Sequence, residues 1–219
     1  RDLPRLSVDI DLTYLPLDDR NTALKNVWAA LSRIAKDIEQ EIPDSHVLMS
    51  NEDTDSLRIF VSQYGVRINI ELTPVMRGSV FPPVNMEVHE RVESEFGYAE
   101  VPVLSHPDLY AGKICAALNR QHPRDLFDVK LLLENEGLSK ELRQTFLVYL
   151  ISDKRPIAEL ITPTRKNIRE IFLSDFANMT DSKVTVEELE AVRERLIATL
   201  HADLTKKEKQ FLLSFKSCA

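Results

Sequence analysis

Residues 6–12 alternate strictly, with Leu6, Val8, Ile10 and Leu12 on one side and Ser7, Asp9 and Asp11 on the other. A period of two is the signature of a half-buried strand. From Asp18 to about Glu41 the period lengthens: Leu24, Val27, Trp28, Leu31, Ile34, Ala35 and Ile38 recur at three- and four-residue steps. That spacing predicts a long amphipathic helix, with Asp18 and Asp19 suited to its positive end. Strand-like runs follow at 46–50, 56–62 and 65–73, separated by turn-forming residues at 51–55 and 63–65. In the last run Ile68, Ile70 and Leu72 oppose Arg67, Asn69 and Glu71, the same division as in the first strand.

Residues 78–104 show no clear period apart from a strand-like run at 99–104. Beyond Ser105-His106-Pro107 the pattern predicts helices over 107–120, 124–136, 139–151, 163–177, 185–203 and 205–216, punctuated by Pro123, Gly137, Pro156 and Pro163. A strand-rich half that feeds a helical half predicts the α+β class with a mixed sheet and flanking helices. The expected division is an α+β domain over 1–104 and a C-terminal helical domain over 105–219.

Charge narrows the functional classes. Lys plus Arg number 28 against 35 Asp plus Glu, a formal charge of −7, so the chain repels a polyanion at long range. Any nucleic-acid contact then needs a local basic site. Cys115 and Cys218 are the two cysteines, too few for a disulfide framework, and no apolar run approaches the ~20 residues that span a bilayer. A cytoplasmic location without a membrane partner is expected. The chain starts at Arg1 with no signal-peptide core, and is read as lacking its natural start.

Two groups of residues could carry chemistry. Asp9 and Asp11, two apart on a strand, project from one face and repel unless a cation lies between them. Hard oxygen ligands on a rigid strand suit Mg²⁺, whose remaining ligands are waters and substrate phosphates. Glu71, on the polar face of another strand, could supply a third carboxylate. The alternative is that all three face water on the solvated side of a sheet. Ser7 shares the face of Asp9 and Asp11, and Arg5 could grip a phosphate bidentately or form a surface ion pair with Asp2 or Asp9. The second group runs from Lys113 to Asp128. Lys113 and Arg120 lie two turns apart on one helix side, and Arg124, Asp125 and Asp128 border the stripe Leu126, Val129, Leu132 and Leu133. Taken alone, Arg124 and Asp128 read equally as an i,i+4 helix pair worth ~0.3 kcal/mol, with Lys113 solvated.

Other chemistries lose support. The five glycines are scattered and give neither a P-loop nor a dinucleotide fingerprint. The histidines and cysteines lack zinc-ligand spacing, Cys115 sits in an apolar helix, and Lys206-Lys207-Glu208-Lys209 reads as a solvated helix end.

The segment Arg5-Leu6-Ser7-Val8-Asp9-Ile10-Asp11, with Ile70-Glu71-Leu72 and Arg77-Gly78, and then Gly112-Lys113, Arg120, Arg124-Asp125 and Asp128, together resemble the AbiEii/AbiGii-type nucleotidyltransferase toxins of bacterial type IV toxin-antitoxin systems. The likeness covers about residues 1–135. It implies a nucleotidyltransferase-type fold and transfer of a nucleoside monophosphate from NTP to an acceptor, RNA such as tRNA. Asp9, Asp11 and Glu71 would hold Mg²⁺ in a two-ion site. Lys113 and Asp125 would be catalytic, and Arg5, Ser7, Lys113, Arg120, Arg124 and Asp128 would bind the nucleotide. A cognate antitoxin would be the protein partner. The family usually carries a Gly-Gly-Ser/Thr turn before the first strand, and this sequence begins after that point. A non-catalytic nucleotide- or protein-binding module on the same fold is the alternative reading, and a small-molecule phosphotransferase a third.

Overall fold

A computed structural model describes residues 4–7, 9–50 and 57–218. The expectations placed on Val8 and on the turn at 51–55 lie outside those residues. The chain forms two units, one from Leu6 to Ser79 and the other from Val80 onward together with Arg5; the sequence reading set its division near residue 105.

The first unit contains β1 (Asp9–Tyr14), α1 (Arg20–Glu41), β2 (His46–Met49), β3 (Leu57–Gln63) and β4 (Val66–Arg77). Among the described residues the strands form one sheet in the order β1-β4-β3-β2, with β1 parallel to β4 and the other pairs antiparallel. The expected mixed sheet is therefore present. Asp19 caps α1 by accepting from the Asn21 and Thr22 amides at 2.9 and 3.1 Å. Its stripe of Ala23, Val27, Leu31 and Ala35 is buried, and the last three pack with Leu57, Ile59, Ile70 and Leu72 from the sheet. Tyr64 and Gly65 join β3 to β4 with φ of 48° and 80°, the two left-handed residues of a type I′ hairpin.

Strand β1 extends two residues beyond the end of the alternation, to Tyr14. Leu6 and Ile10, expected on the buried side, are 66% and 49% exposed. Leu6 precedes the strand, and Ile10 lies on β1, the outermost strand, which among the described residues has a neighbour on one side alone. Gly78, just past the end of β4, has φ 78°, a left-handed conformation that favours glycine.

The second unit opens with a small antiparallel pair, β5 (Val84–Glu87) and β6 (Glu100–Val103), linked through α2 (Glu90–Phe96). Helices α3 (His106–Asn119), α4 (Pro123–Asn135), α5 (Lys140–Ser152), α6 (Ile157–Ile161), α7 (Arg169–Ile171), α8 (Val186–Asp203) and α9 (Lys206–Cys218) follow, and α7 runs into a π-helical turn at Phe172–Phe176. Ser105, His122, Ser139 and Thr185 cap α3, α4, α5 and α8. The core contains Ile114 and Leu118 of α3, Leu126 and Leu132 of α4, Phe146 and Leu150 of α5, and Leu189 and Leu196 of α8. Among the described residues no helix is long and apolar enough to cross a membrane.

The helix expected at 163–177 starts only at Arg169. Side chains explain the delay: Gln121 donates to the Thr164 carbonyl at 2.8 Å and accepts from the Lys166 amide at 3.0 Å, while Arg193 donates to the Lys166 carbonyl at 2.8 Å. Backbone groups committed to side chains are withdrawn from a helical ladder. Gln121 does this from a left-handed backbone, φ 54°. Burial raises the Cys115 thiol far above its ordinary range, consistent with a core cysteine.

Asp108 is fully buried. It accepts from the amides of Val80 and Phe81 at 2.7 and 2.9 Å, from Ser105 Oγ at 2.7 Å and from Tyr149 Oη at 3.1 Å. Asp108→Ala would remove the carboxylate that these four donors share. It is expected to cost on the order of 3 kcal/mol, read as a lower midpoint in urea denaturation.

Candidate active site

The polar face of the sheet in the first unit is set by register. Parallel pairing places Asp11 opposite Glu71 and Asp9 opposite Asn69, and antiparallel pairing places Arg58 opposite Glu71. Cross-strand partners share a face, so Asp9, Asp11, Asn69, Glu71 and Arg58 all lie on the side opposite the apolar residues that meet α1. The register therefore places Asp9, Asp11 and Glu71, from distant stretches of the chain, on one face of the sheet.

Their bonds divide the roles. Arg58 holds Glu71 with both ends of its guanidinium, Nη2 to Oε1 at 3.0 Å and Nε to Oε2 at 2.9 Å. The hydrogen bond it donates to Glu71, assisted by the negative charges of Glu71, Asp9 and Asp11, keeps the Arg58 guanidinium above its ordinary range against desolvation. Arg58 is thus a counter-ion to the carboxylate face. Asn69 Nδ2 donates to Asp9 Oδ1 at 3.0 Å, while Asn69 Oδ1 is buried with no hydrogen-bond partner among the described residues. Ser7 turns its hydroxyl to the carbonyl of Asp9 at 3.2 Å.

Among the described residues no three Asp, Glu, His or Cys side chains form a group that could hold a metal ion by themselves. Mg²⁺ asks for less, since it commonly takes one or two protein carboxylates and completes its shell from water and substrate phosphate. Asp9 and Asp11 supply two hard carboxylates, and the orphaned amide oxygen of Asn69 is a further oxygen donor on the same face. The donor chemistry fits the ion. Glu71 differs from them, because joining such a set would require it to release the Arg58 fork.

The second unit holds the remaining sequence-derived residues. Arg5 binds Asp128 bidentately, Nε to Oδ1 at 2.7 Å and Nη2 to Oδ2 at 2.6 Å, and Lys113 donates to Asp128 Oδ2 as well. Arg5 and Lys113 are themselves largely buried. Arg5 and Lys113 thus converge on one buried carboxylate, which holds two cationic heads side by side. Burial pushes the Asp128 carboxyl up, but Arg5 and Lys113 outweigh it and hold the carboxyl below its ordinary range.

Arg120 grips Asp125 in a second fork at 2.6 and 2.8 Å. The Arg124 amide donates to Nδ1 of the capping His122 at 3.1 Å, and burial together with Arg124 and Arg120 lowers the His122 pKa. The neutral ring needed for capping is therefore favoured. Asp125 and Asp128 lie beneath the cations, and the Arg5–Asp128 pair joins residues 123 positions apart, which no local spacing predicts. Arg58 and Asn69 were not singled out from sequence. Their positions on the alternating strands were visible, but their partners required the register.

Residues 1–216 match the family described as nucleotidyl transferase AbiEii toxin, type IV toxin-antitoxin system. No curated protein matches the sequence. Among solved structures the fold is similar to MenT4, a nucleotidyltransferase toxin from Mycobacterium tuberculosis H37Rv, with a TM-score of 0.66 and 16% identity over 95% of this chain and 72% of that one.

The lowered Asp128 pKa fixes a pH dependence. Its ionised form is preferentially stabilised by folding, so the contribution is complete above about pH 4 and is lost as the pH falls through the depressed folded value. Asp128→Asn leaves Arg5 and Lys113 without their counter-ion and is expected to cost roughly 3 kcal/mol near neutrality. Thermal melts should show this loss shrinking below pH 4.

Proposed function

The chain belongs to the AbiEii nucleotidyl transferase toxin family of type IV toxin-antitoxin systems, and we propose that it transfers a nucleoside monophosphate from an NTP to an RNA acceptor, tRNA among the candidates, in a Mg²⁺-dependent reaction. It is a nucleotidyltransferase toxin; the acceptor, the metal and the residue roles are the proposed part. The observation that carries the metal assignment is the polar sheet face, where Asp9 and Asp11 stand beside a buried amide oxygen on Asn69 that has no hydrogen-bond partner among the described residues.

In this reading Asp9 and Asp11 hold Mg²⁺, with Asn69 as an additional oxygen donor. The ion, when bound, neutralises charge that gathers on the α-phosphate and the departing pyrophosphate. An acceptor hydroxyl attacks the α-phosphorus and releases its proton to water, a new P–O bond forms, the α–β bridging P–O bond breaks, and pyrophosphate leaves. Glu71 holds Arg58 beside the two aspartates, limiting repulsion on the face before substrate arrives. Ser7 fixes the backbone at Asp9.

Lys113 and Arg5 offer positive charge to the triphosphate, and Asp128 fixes both in place. Arg120 and Arg124 contact phosphate of the nucleotide or the acceptor. Asp125 orients Arg120 through the two-pronged bond that supports this assignment. The chain's net charge of −7 makes local cations a requirement for any RNA contact. A cognate antitoxin is the proposed protein partner.

The test is transfer of label from each α-labelled NTP to total RNA. EDTA should abolish transfer and Mg²⁺ restore it. Asp9→Asn and Asp11→Asn should each lower the rate roughly 10²- to 10⁴-fold, the kinetic equivalent of the several kcal/mol a catalytic metal supplies. Transfer at the wild-type rate by folded Asp9→Asn/Asp11→Asn protein would refute the assignment.

A further inference from the structure

The β5–β6 hairpin of the second unit contributes nothing to the chemistry described above, and its construction is unusual. Val84 pairs with Val103 and Met86 with Val101, giving one apolar face, while Asn85 pairs with Pro102 and Glu87 with Glu100 on the other. The apolar face lacks cover: Val84, Met86 and Val101 are 54%, 41% and 48% exposed. An isolated two-stranded hairpin is only marginally stable in water.

The two edges differ. The Val88 amide donates to the Ala99 carbonyl at 2.9 Å, so alternation along the antiparallel ladder makes 84/103 and 86/101 the hydrogen-bonded pairs. Asn85 and Glu87 consequently direct their backbone N–H and C=O groups away from β6. On the opposite edge the equivalent residues are Glu100 and Pro102, and proline has no N–H to offer. Proline is a common way of closing an edge to strand addition. Here one edge is closed and β5 is open, with no further strand beside it among the described residues.

Charge identifies the side chains that would suit the open edge. Residues 84–103 contain five glutamates and one arginine, with no lysine or aspartate. Glu87 and Glu100 face one another at a non-hydrogen-bonded position, where side chains approach most closely and like charges are destabilising. Tyr98 bridges them, its hydroxyl lying 3.2 Å from Glu87 Oε1 and 3.1 Å from Glu100 Oε2. Among the described residues these acids do not form a metal-binding group. A second copy presenting this same surface, or a nucleic acid, would meet like charge.

We propose that β5 receives an extended segment of a partner protein as a third strand, with apolar side chains on the Val84–Met86 face alternating with Lys or Arg on the Glu87–Glu100 face. Main-chain pairing along Asn85 and Glu87 supplies affinity, and the alternation supplies specificity. An incoming cation relieves the glutamate pair that the free hairpin holds together.

The test uses the full chain and a nine-residue peptide alternating Val with Lys, compared with its Val/Glu counterpart, by fluorescence anisotropy with backbone amide NMR. The Val/Lys peptide is expected to bind, to shift the Asn85 and Glu87 amides, and to weaken in 0.5 M salt; the Val/Glu peptide should bind at least tenfold more weakly. Asn85→Pro removes an outward N–H without touching the β5–β6 ladder and should weaken binding at least tenfold. Glu87→Lys creates a favourable pair with Glu100, preserves the hairpin and should weaken binding equally. Absence of Val/Lys binding, equal binding of both peptides, or wild-type affinity in Glu87→Lys overturns the proposal. The readout is peptide binding, so it is independent of nucleotidyl transfer.

Discussion

Negative charge concentrated on one side of a small sheet is the constraint around which the first unit is arranged. Two aspartates on β1 and a glutamate on β4 are forced onto the same surface by the parallel register, and a strand cannot turn one of them away without turning its whole face. The Arg58 fork lowers the repulsion by one positive charge. Beneath it, α1 covers the apolar side with a stripe at helical spacing, so packing of α1 on Leu57, Ile59, Ile70 and Leu72 fixes the register that aligns the acids. Hydrophobic packing and acidic chemistry are consequently two faces of one decision about strand pairing.

The second unit handles charge differently. Its functional candidates are ion pairs drawn inward: Asp128 is buried beneath Arg5 and Lys113, and Asp125 beneath Arg120. Burying a carboxylate is tolerable only when its partners are bound to it, and each of these arrangements includes a bidentate guanidinium. Such forks restrict side chains that would otherwise be among the most mobile on a protein surface. The cations are thereby held in defined places.

Much of this was legible in the sequence because it follows from period and local chemistry. The alternation around Asp9 and Asp11, the long stripe of α1, the Tyr64-Gly65 turn and the helices from α3 to α5 are encoded over short distances. The motif residues could be named, and their family resemblance recognised, before any coordinates. What was hidden depended on distant pairing. Asp108, Arg58 and the Arg5–Asp128 bond acquire meaning only from partners that no single-sequence period reports. Short β5, α2 and α6 offered too few residues for a pattern, and α2 has no buried face to generate one. The helix expected from Pro163 failed for another reason: the side chains of Gln121 and Arg193 claim the backbone groups of that stretch.

Gln121 also sets opposing demands on anyone who would make this protein more robust. Replacing a left-handed non-glycine residue by glycine ordinarily relieves about 1 kcal/mol of backbone strain. Here the same exchange would remove the amide that fastens the 164–166 segment and engages Arg193. A consensus or thermostabilising design that scores only torsion angles would choose glycine and loosen the tether. Backbone comfort and side-chain attachment cannot both be maximised at that position, and the native residue favours attachment.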